Sequence, residues 1–287
     1  FYHIYGLTVL LNSILQAGGT LVTMARFDLE AFLGLVQRYK VTRACVVPPI
    51  VLALAKHPLV ANYDLSSLKV VNSGAAPLGP ELSSACQERL GCTVRQGYGM
   101  TELSPASHFC SSEQSRPGSA GLTGPNTETV IADVTTGQHL PPGQQGEVWV
   151  RGPQVMKGYL NDPQATADML DADGWLHTGD IGYMDEDGYL WVVDRLKELI
   201  KYKGYQVAPA ELEALLLTHP HVADAAVIGV RDEEAGEEPK AFIVARGDIV
   251  VEDVLAYVAE RVAPYKRIRH AELVDQIPKS SSGKILR

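Results

Sequence analysis

The sequence predicts an α/β protein: a mostly parallel sheet with helices packed on it, a β-rich subdomain, and then a small α+β domain. Three observations carry this expectation. Strand and helix patterns alternate through the first third, short strands broken by turn clusters fill Gly118 to Arg195, and mixed strands and helices follow Lys197. At 287 residues the chain has room for about two domains of roughly 150 residues each.

Each element follows from local chemistry. Asp28 carries the acceptor side chain of an N-cap, and the apolar spacing behind it predicts a helix running to Tyr39. Thr42 to Val47 reads as a buried strand, Val70 to Ser73 as a second and Cys92 to Gln96 as a third, with Gly79 to Leu90 helical. Loops at the ends of such strands are where ligands usually sit. In the β-rich stretch, Glu147 to Arg151 and Tyr189 to Val193 read as strands, separated by clusters such as Pro141-Pro142-Gly143 and Asp185-Glu186-Asp187-Gly188. The last part predicts two strands around Lys203-Gly204, a helix from Pro209 to Leu217, strands at Ala225 to Val230 and Lys240 to Ala245, and a helix from Val251 to Val262. Arg195 to Glu198 is the expected joint.

Composition narrows the function. Lys and Arg number 25 against 34 Asp and Glu, a net charge of −9, so there is no basic surplus for nucleic acid or an anionic membrane surface. The longest nearly unbroken apolar stretch, Ala44 to Ala55, contains Pro48 and Pro49 and falls short of the roughly 20 residues of a spanning helix. Cys45, Cys86, Cys92 and Cys110 show neither a CxxC pair nor metal-ligand spacing, which suits a reducing compartment and a cytoplasmic location. The chain opens on Phe1 inside an apolar pattern and reads as a piece of something longer.

Several segments invite chemistry. Gly97-Tyr98-Gly99-Met100-Thr101-Glu102 follows a predicted strand but lacks the third glycine of a dinucleotide fingerprint. Glu102 stands there instead, and a carboxylate facing pyrophosphate needs a cation between them, which points to magnesium with a phosphate. Read alone, the hexamer is as well explained by a strand-ending turn. Asn72 to Gly79 also leaves a strand and enters a helix, with side chains small enough for a ring or phosphate to approach the backbone. A Walker loop is excluded, since Pro80 and Glu81 stand where its Lys and hydroxyl belong. Pro278-Lys279-Ser280-Ser281-Ser282-Gly283-Lys284 fails the same test, yet a Lys on such a tip can serve as a mobile point charge for a phosphate. Gly174-Trp175-Leu176-His177-Thr178-Gly179-Asp180 places a carboxylate at a glycine turn, a device for binding both hydroxyls of a ribose and equally any acidic turn. Lys197, Lys201 and Lys203 read as a solvated face, and His3 as a core histidine on an apolar helix.

Taken together, these segments resemble the adenylate-forming superfamily of acyl-CoA synthetases and firefly luciferase, most closely the 4-coumarate:CoA ligase type. The resemblance covers essentially the whole chain. It rests on Phe1 to Gly6, Ser73 to Leu78, Gly97 to Glu102, Gly174 to Asp180, Asp194 to Glu213 and Pro278 to Lys284, in the family's order. It implies the C-terminal part of the large adenylate-forming domain over residues 1–194, a hinge over 195–198 and a small mobile C-terminal domain over 199–287. The implied chemistry joins a carboxylic acid to ATP as acyl-adenylate, then to coenzyme A, with Mg2+ as the metal.

The resemblance also assigns residues. Thr101 donates to the α-phosphate, Glu102 holds magnesium, Ala75, Ala76, Pro77 and Tyr98 frame adenine, and Asp180 and Arg195 hold the ribose. Lys284 is the first-step lysine, Lys197 the hinge, and Lys201 and Gly204 the face for thioester formation, with Gln206 near the adenylate. His3, Tyr5, Gly97, Gly99 and Met100 match positions along the acyl pocket or thiol entry. The family's Ser/Thr/Gly-rich phosphate loop lies upstream of the segment matching Phe1 to Gly6, so the isolated chain is expected to turn over poorly. Aromatic Tyr2 and Tyr5 with small Gly97 and Gly99 suit an aryl or arylpropenoate acid. A medium-chain fatty acid, an amino-acid-adenylating domain and a non-catalytic AMP-binding protein are the rivals, and a monomer and a dimer are equally compatible with the sequence.

Overall fold

The computed structural model describes residues 1–280 and 285–287. It divides into two compact units, Phe1–Thr178 with Tyr183–Val192, and Gly179–Gly182 with Val193–Arg287. The first unit opens on a π-helical stretch, Tyr5–Asn12, that runs into α1 (Ser13–Gln16), and neither buries a residue. His3 precedes this helix rather than lying on it, and its Nδ1 accepts from the Tyr5 N–H at 3.2 Å.

A three-stranded parallel sheet follows, in the order β1 (Arg43–Val46), β2 (Val70–Ser73), β3 (Thr93–Gln96). Helices α2 (Leu29–Tyr39), α3 (Pro48–Lys56) and α4 (Pro80–Leu90) join it in one core, where Val46, Val71 and Val94 meet Leu33, Val51, Leu54 and Cys86. Burying each large apolar side chain contributes about 1.5–3 kcal/mol. Asp28 caps α2, accepting from Ala31 N–H at 2.8 Å, and Lys40 ends it in the left-handed region at φ 50°. Helix α3 starts within the apolar stretch Ala44 to Ala55, which contains Pro48 and Pro49. They sit in its first turn, where a missing N–H leaves no helical bond unmade.

The β-rich part is a six-stranded sheet ordered β4-β5-β9-β8-β7-β6. Its strands are β4 (His108–Phe109), β5 (Gly121–Thr123), β6 (Glu128–Ala132), β7 (Gly146–Arg151), β8 (Leu176–Met184) and β9 (Tyr189–Arg195). A short helix, α5 (Pro163–Met169), is capped by Asp162 and buries no residue, so it shows no apolar stripe in the sequence.

In the second unit, β10 (Ile200–Tyr202), β11 (Tyr205–Val207), β12 (Val222–Asp232) and β13 (Gly236–Ala245) form a sheet ordered β11-β10-β13-β12, with β14 (His270–Leu273) parallel to β13. Helices α6 (Pro209–Leu216) and α7 (Val251–Ala259) close its core through Leu212, Leu216, Val254 and Val258, packed with Val227 and Ile243. The β12–β13 hairpin extends beyond the expected strands because Asp232 accepts from the N–H groups of Glu234 and Ala235, an Asx turn that closes it. Helix α7 ends at Ala259, short of the expected Val262. Among the described residues no helix is long and apolar enough to cross a membrane.

Candidate functional site

Two loops leave the same end of the parallel sheet in the first unit. β2 runs into Gly74 to Gly79 before α4, and β3 runs into Gly97 to Glu102. The Gln96 side chain ties them, accepting from Leu78 N–H at 2.7 Å and donating from Nε2 to Leu78 O at 2.9 Å. Ala75 sits at φ 71°, a strained conformation for a residue with a Cβ, and Ala76 and Pro77 beside it are exposed.

The second loop is held by a backbone pairing of Tyr98 with His108, through N–H···O contacts of 2.9 and 3.2 Å. Tyr98 is buried, Gly97 exposed, and Met100 packs on the core of the β-rich part. A Cβ at Gly99 would lie 1.9 Å from Pro105 O and 2.6 Å from Ala106 Cα, so only glycine fits there. Thr101 and Glu102 lie in a 3₁₀ turn, Thr101–Leu103, pinned by the fully buried Leu103, and Thr101 is exposed. The Tyr159 hydroxyl donates to Glu102 Oε1 at 2.7 Å. Burial, then the hydrogen bond to Glu102, pushes the Tyr159 phenol up to about 12, so it is a donor at neutral pH.

Tyr5 lies against Gly74, where a Cβ would be 3.3 Å from its ring. Burial, with Cys45 adding to it, raises its phenol above the ordinary tyrosine range. Cys45, Asn72 and Arg95 stand in one row across the three strands, with Arg95 Nε donating to Asn72 Oδ1 at 2.6 Å.

His108 is fully buried behind the second loop. Its Nδ1 lies 2.9 Å from Ser107 Oγ, and its Nε2 lies 3.3 and 3.2 Å from the hydroxyls of Thr123 and Thr129. Burial lowers its pKa to about 3. An unfolded chain protonates this histidine near its ordinary value, whereas the folded protein keeps it neutral far below that. Its contribution to stability is therefore complete above about pH 6.5 and is lost progressively as pH falls toward 3, amounting to ~2 kcal/mol at pH 5. Urea unfolding of the full-length protein at pH 7.5 and 5 is expected to show a larger acid loss in wild type than in His108→Gln, and equal losses would contradict the assignment.

The second unit holds the remaining residues. Asp180 lies within β8 rather than at a turn, after Gly179 at φ 69°; the expected glycine turn is a kink inside a strand. Its side chain is about 10% exposed, and its Oδ1 lies 3.4 Å from Arg195 Nε, so the two residues matched to the ribose meet. Asp194 fixes the backbone there, accepting from Arg195 N–H and Ala210 N–H, both at 2.8 Å. Lys197 is exposed on a 3₁₀ turn, Leu196–Glu198. Lys201 and Gln206 face each other across the β10–β11 hairpin, whose turn holds Lys203 at φ 47° and Gly204 at φ 82°. Tyr205, over half exposed, stacks on Tyr265 at 4.4 Å. Lys284, with Ser281, Ser282 and Gly283, lies outside the described residues. Flanking them, Lys279 bridges Ile285 and pairs with Asp224 at 2.5 Å, while Arg287 pairs with Glu198 and Glu213.

Among the described residues no group of three His, Cys, Asp or Glu forms a metal cluster. One carboxylate, Glu102, is what the glycine loop offers, which fits a magnesium ion that takes its other ligands from phosphate and water. Tyr159, Gln96 and His108 were missed in the sequence. Gln96 stands directly before the glycine loop, but Tyr159 lies 57 positions from Glu102 and carries no local signal.

Comparison with known proteins places this architecture. The AMP-binding enzyme profile matches residues 1–160, and the AMP-binding enzyme C-terminal domain profile matches residues 211–284. The chain belongs to the AMP-binding enzyme family. It is 53% identical over 294 aligned positions to 4-coumarate–CoA ligase 2 of Nicotiana tabacum, covering 100% of this chain and 54% of the relative. Among solved structures, amide bond synthetase McbA from Marinactinospora thermotolerans superposes with a TM-score of 0.84 at 37% identity, over 94% of this chain and 56% of that one. O-succinylbenzoate CoA synthetase from Bacillus subtilis, in complex with its acyl-adenylate intermediate, gives 0.86 at 35% identity over 100% and 58%. The chain thus spans about half the length of the curated relatives it matches.

Proposed function

We propose that the full-length protein containing this chain is an ATP-dependent acid:CoA ligase acting on an aryl or arylpropenoate acid such as 4-coumarate. The observation that carries the reading is the 53% identity to a 4-coumarate–CoA ligase over an alignment that covers the whole chain. In the first step a carboxylate oxygen bonds to the α-phosphorus of ATP and pyrophosphate leaves. In the second the thiol of coenzyme A bonds to the acyl carbon, its proton is released, and AMP departs with one former carboxylate oxygen.

Each residue has a part in this scheme. Thr101 donates to the α-phosphate, Ala75 to Pro77 and Tyr98 frame adenine, Asp180 and Arg195 hold the ribose, and Gln206 lies near the adenylate. Glu102 holds magnesium, which offsets phosphate charge when bound. Lys284 neutralises charge developing in the first step, and Lys201 and Gly204 serve the second. His3, Tyr5, Gly97, Gly99 and Met100 shape the acyl pocket and thiol entry. Residues 1–194 form part of the large domain, and 199–287 a small domain that turns about Lys197 within 195–198. The four free cysteines suit a cytosolic location.

A second reading, that an amine takes the place of the thiol as acceptor in this protein, draws on the likeness to a solved amide bond synthetase. Pyrophosphate release by the full-length protein, screened over aryl, arylpropenoate, medium-chain and amino acids, is expected to be greatest with a cinnamate-like acid. Thioester formation on adding CoA supports the ligase. Amide formation with an amine and no thioester with CoA supports the second reading, and the absence of pyrophosphate with every acid rejects both.

A further inference from the structure

We propose that Tyr159 is a positioning residue that fixes Glu102 for a divalent cation, an inference that rests on the adenylate-forming reading. The phenol hydroxyl donates to Glu102 Oε1 at 2.7 Å, while Met156 N–H donates to the Glu102 carbonyl at 2.8 Å, so one short segment grips both ends of the residue. That segment is itself anchored. Tyr159 N–H donates to Thr166 Oγ1 at 2.9 Å, the Thr166 hydroxyl donates to Asp162 O at 2.8 Å, and Asp162 caps α5. The neighbouring Leu160 is 91% exposed, so the chain turns Tyr159 inward at a place where its neighbour points to solvent.

A glutamate on a 3₁₀ turn has several rotamers open to it, and binding a cation through it normally costs the entropy of choosing one. The Tyr159 hydrogen bond makes that choice in advance, holding the carboxylate in one orientation for the cation it would bind. Hydrogen bonds from outside the immediate ligands raise metal affinity by about 10-fold or more in comparable sites.

The test uses the full-length protein and Tyr159→Phe, which removes one oxygen and keeps the ring. Binding of α,β-methylene ATP is followed by calorimetry across a Mg2+ titration and again in EDTA, with Glu102→Gln and the double variant alongside. Tyr159→Phe is expected to raise the Mg2+ concentration for half-maximal binding about tenfold, with binding in EDTA unchanged and no further shift in the Glu102→Gln background. No shift overturns the inference. Equal weakening in Mg2+ and EDTA overturns it as well, since that is what a loosened fold produces, and so does wild-type binding that is indifferent to Mg2+. Pyrophosphate release by wild type, measured separately, tests the underlying reading. An enzyme that binds the analogue with Mg2+ but activates no acid refutes the ligase and leaves the Tyr159 result interpretable.

Discussion

Lys284→Ala in the full-length protein is expected to lower adenylate formation by about 10²–10³-fold while leaving thioester formation from supplied acyl-adenylate near wild type. Lys201→Ala is expected to do the reverse. On the proposed reading the first step builds negative charge around the phosphorus centre, which the Lys284 cation would offset. The second step depends instead, on the same reading, on the hairpin that carries Lys201 and Gly204. Quench-flow measurement of each half-reaction separates the two. Equal damage to both half-reactions by both substitutions would show that the lysines do not divide the work.

Gly99→Ala is expected to be more harmful than any conservative change in the glycine loop. The new methyl would have to occupy space 1.9 Å from a backbone carbonyl and 2.6 Å from a backbone Cα, neither of which moves without disturbing the Tyr98–His108 pairing. Overpacking of this kind costs about 1–3 kcal/mol, and occasionally more. Gly97→Ala meets His108 O at 3.1 Å and needs only a few tenths of an ångström of relief. Thermal melts are expected to rank wild type, then Gly97→Ala, then Gly99→Ala, with nucleotide-analogue binding lost in the last. A Gly99→Ala protein that melts and binds like wild type would mean the loop backbone is freer than its contacts imply.

What the sequence disclosed was chemistry at fixed spacing. Asp28 marks a helix start because capping is local, and the three parallel strands are visible as short apolar runs. The glycine loops were legible for the same reason, since small residues after a strand leave the backbone open to a ligand. Other features depended on context. Pro48 and Pro49 break a helix or begin one according to where the first turn falls, and it falls on them. Asp180 looked like a turn residue because Gly179 precedes it, whereas pairing along β8 makes the glycine a kink. Tyr159 reaches Glu102 only because the chain returns past the glycine loop after β7, a contact of tertiary folding with no signature in either segment.

Carboxylate attack on the α-phosphorus leaves a mark that can be read in the product. The full-length protein is given ATP, Mg2+, CoA and a cinnamate-like acid labelled with ¹⁸O in both carboxyl oxygens, and the AMP is analysed by mass spectrometry. One ¹⁸O per AMP is the predicted result, with the other retained in the thioester carbonyl. Unlabelled AMP, or label recovered in orthophosphate alongside ADP, would contradict the acyl-adenylate route.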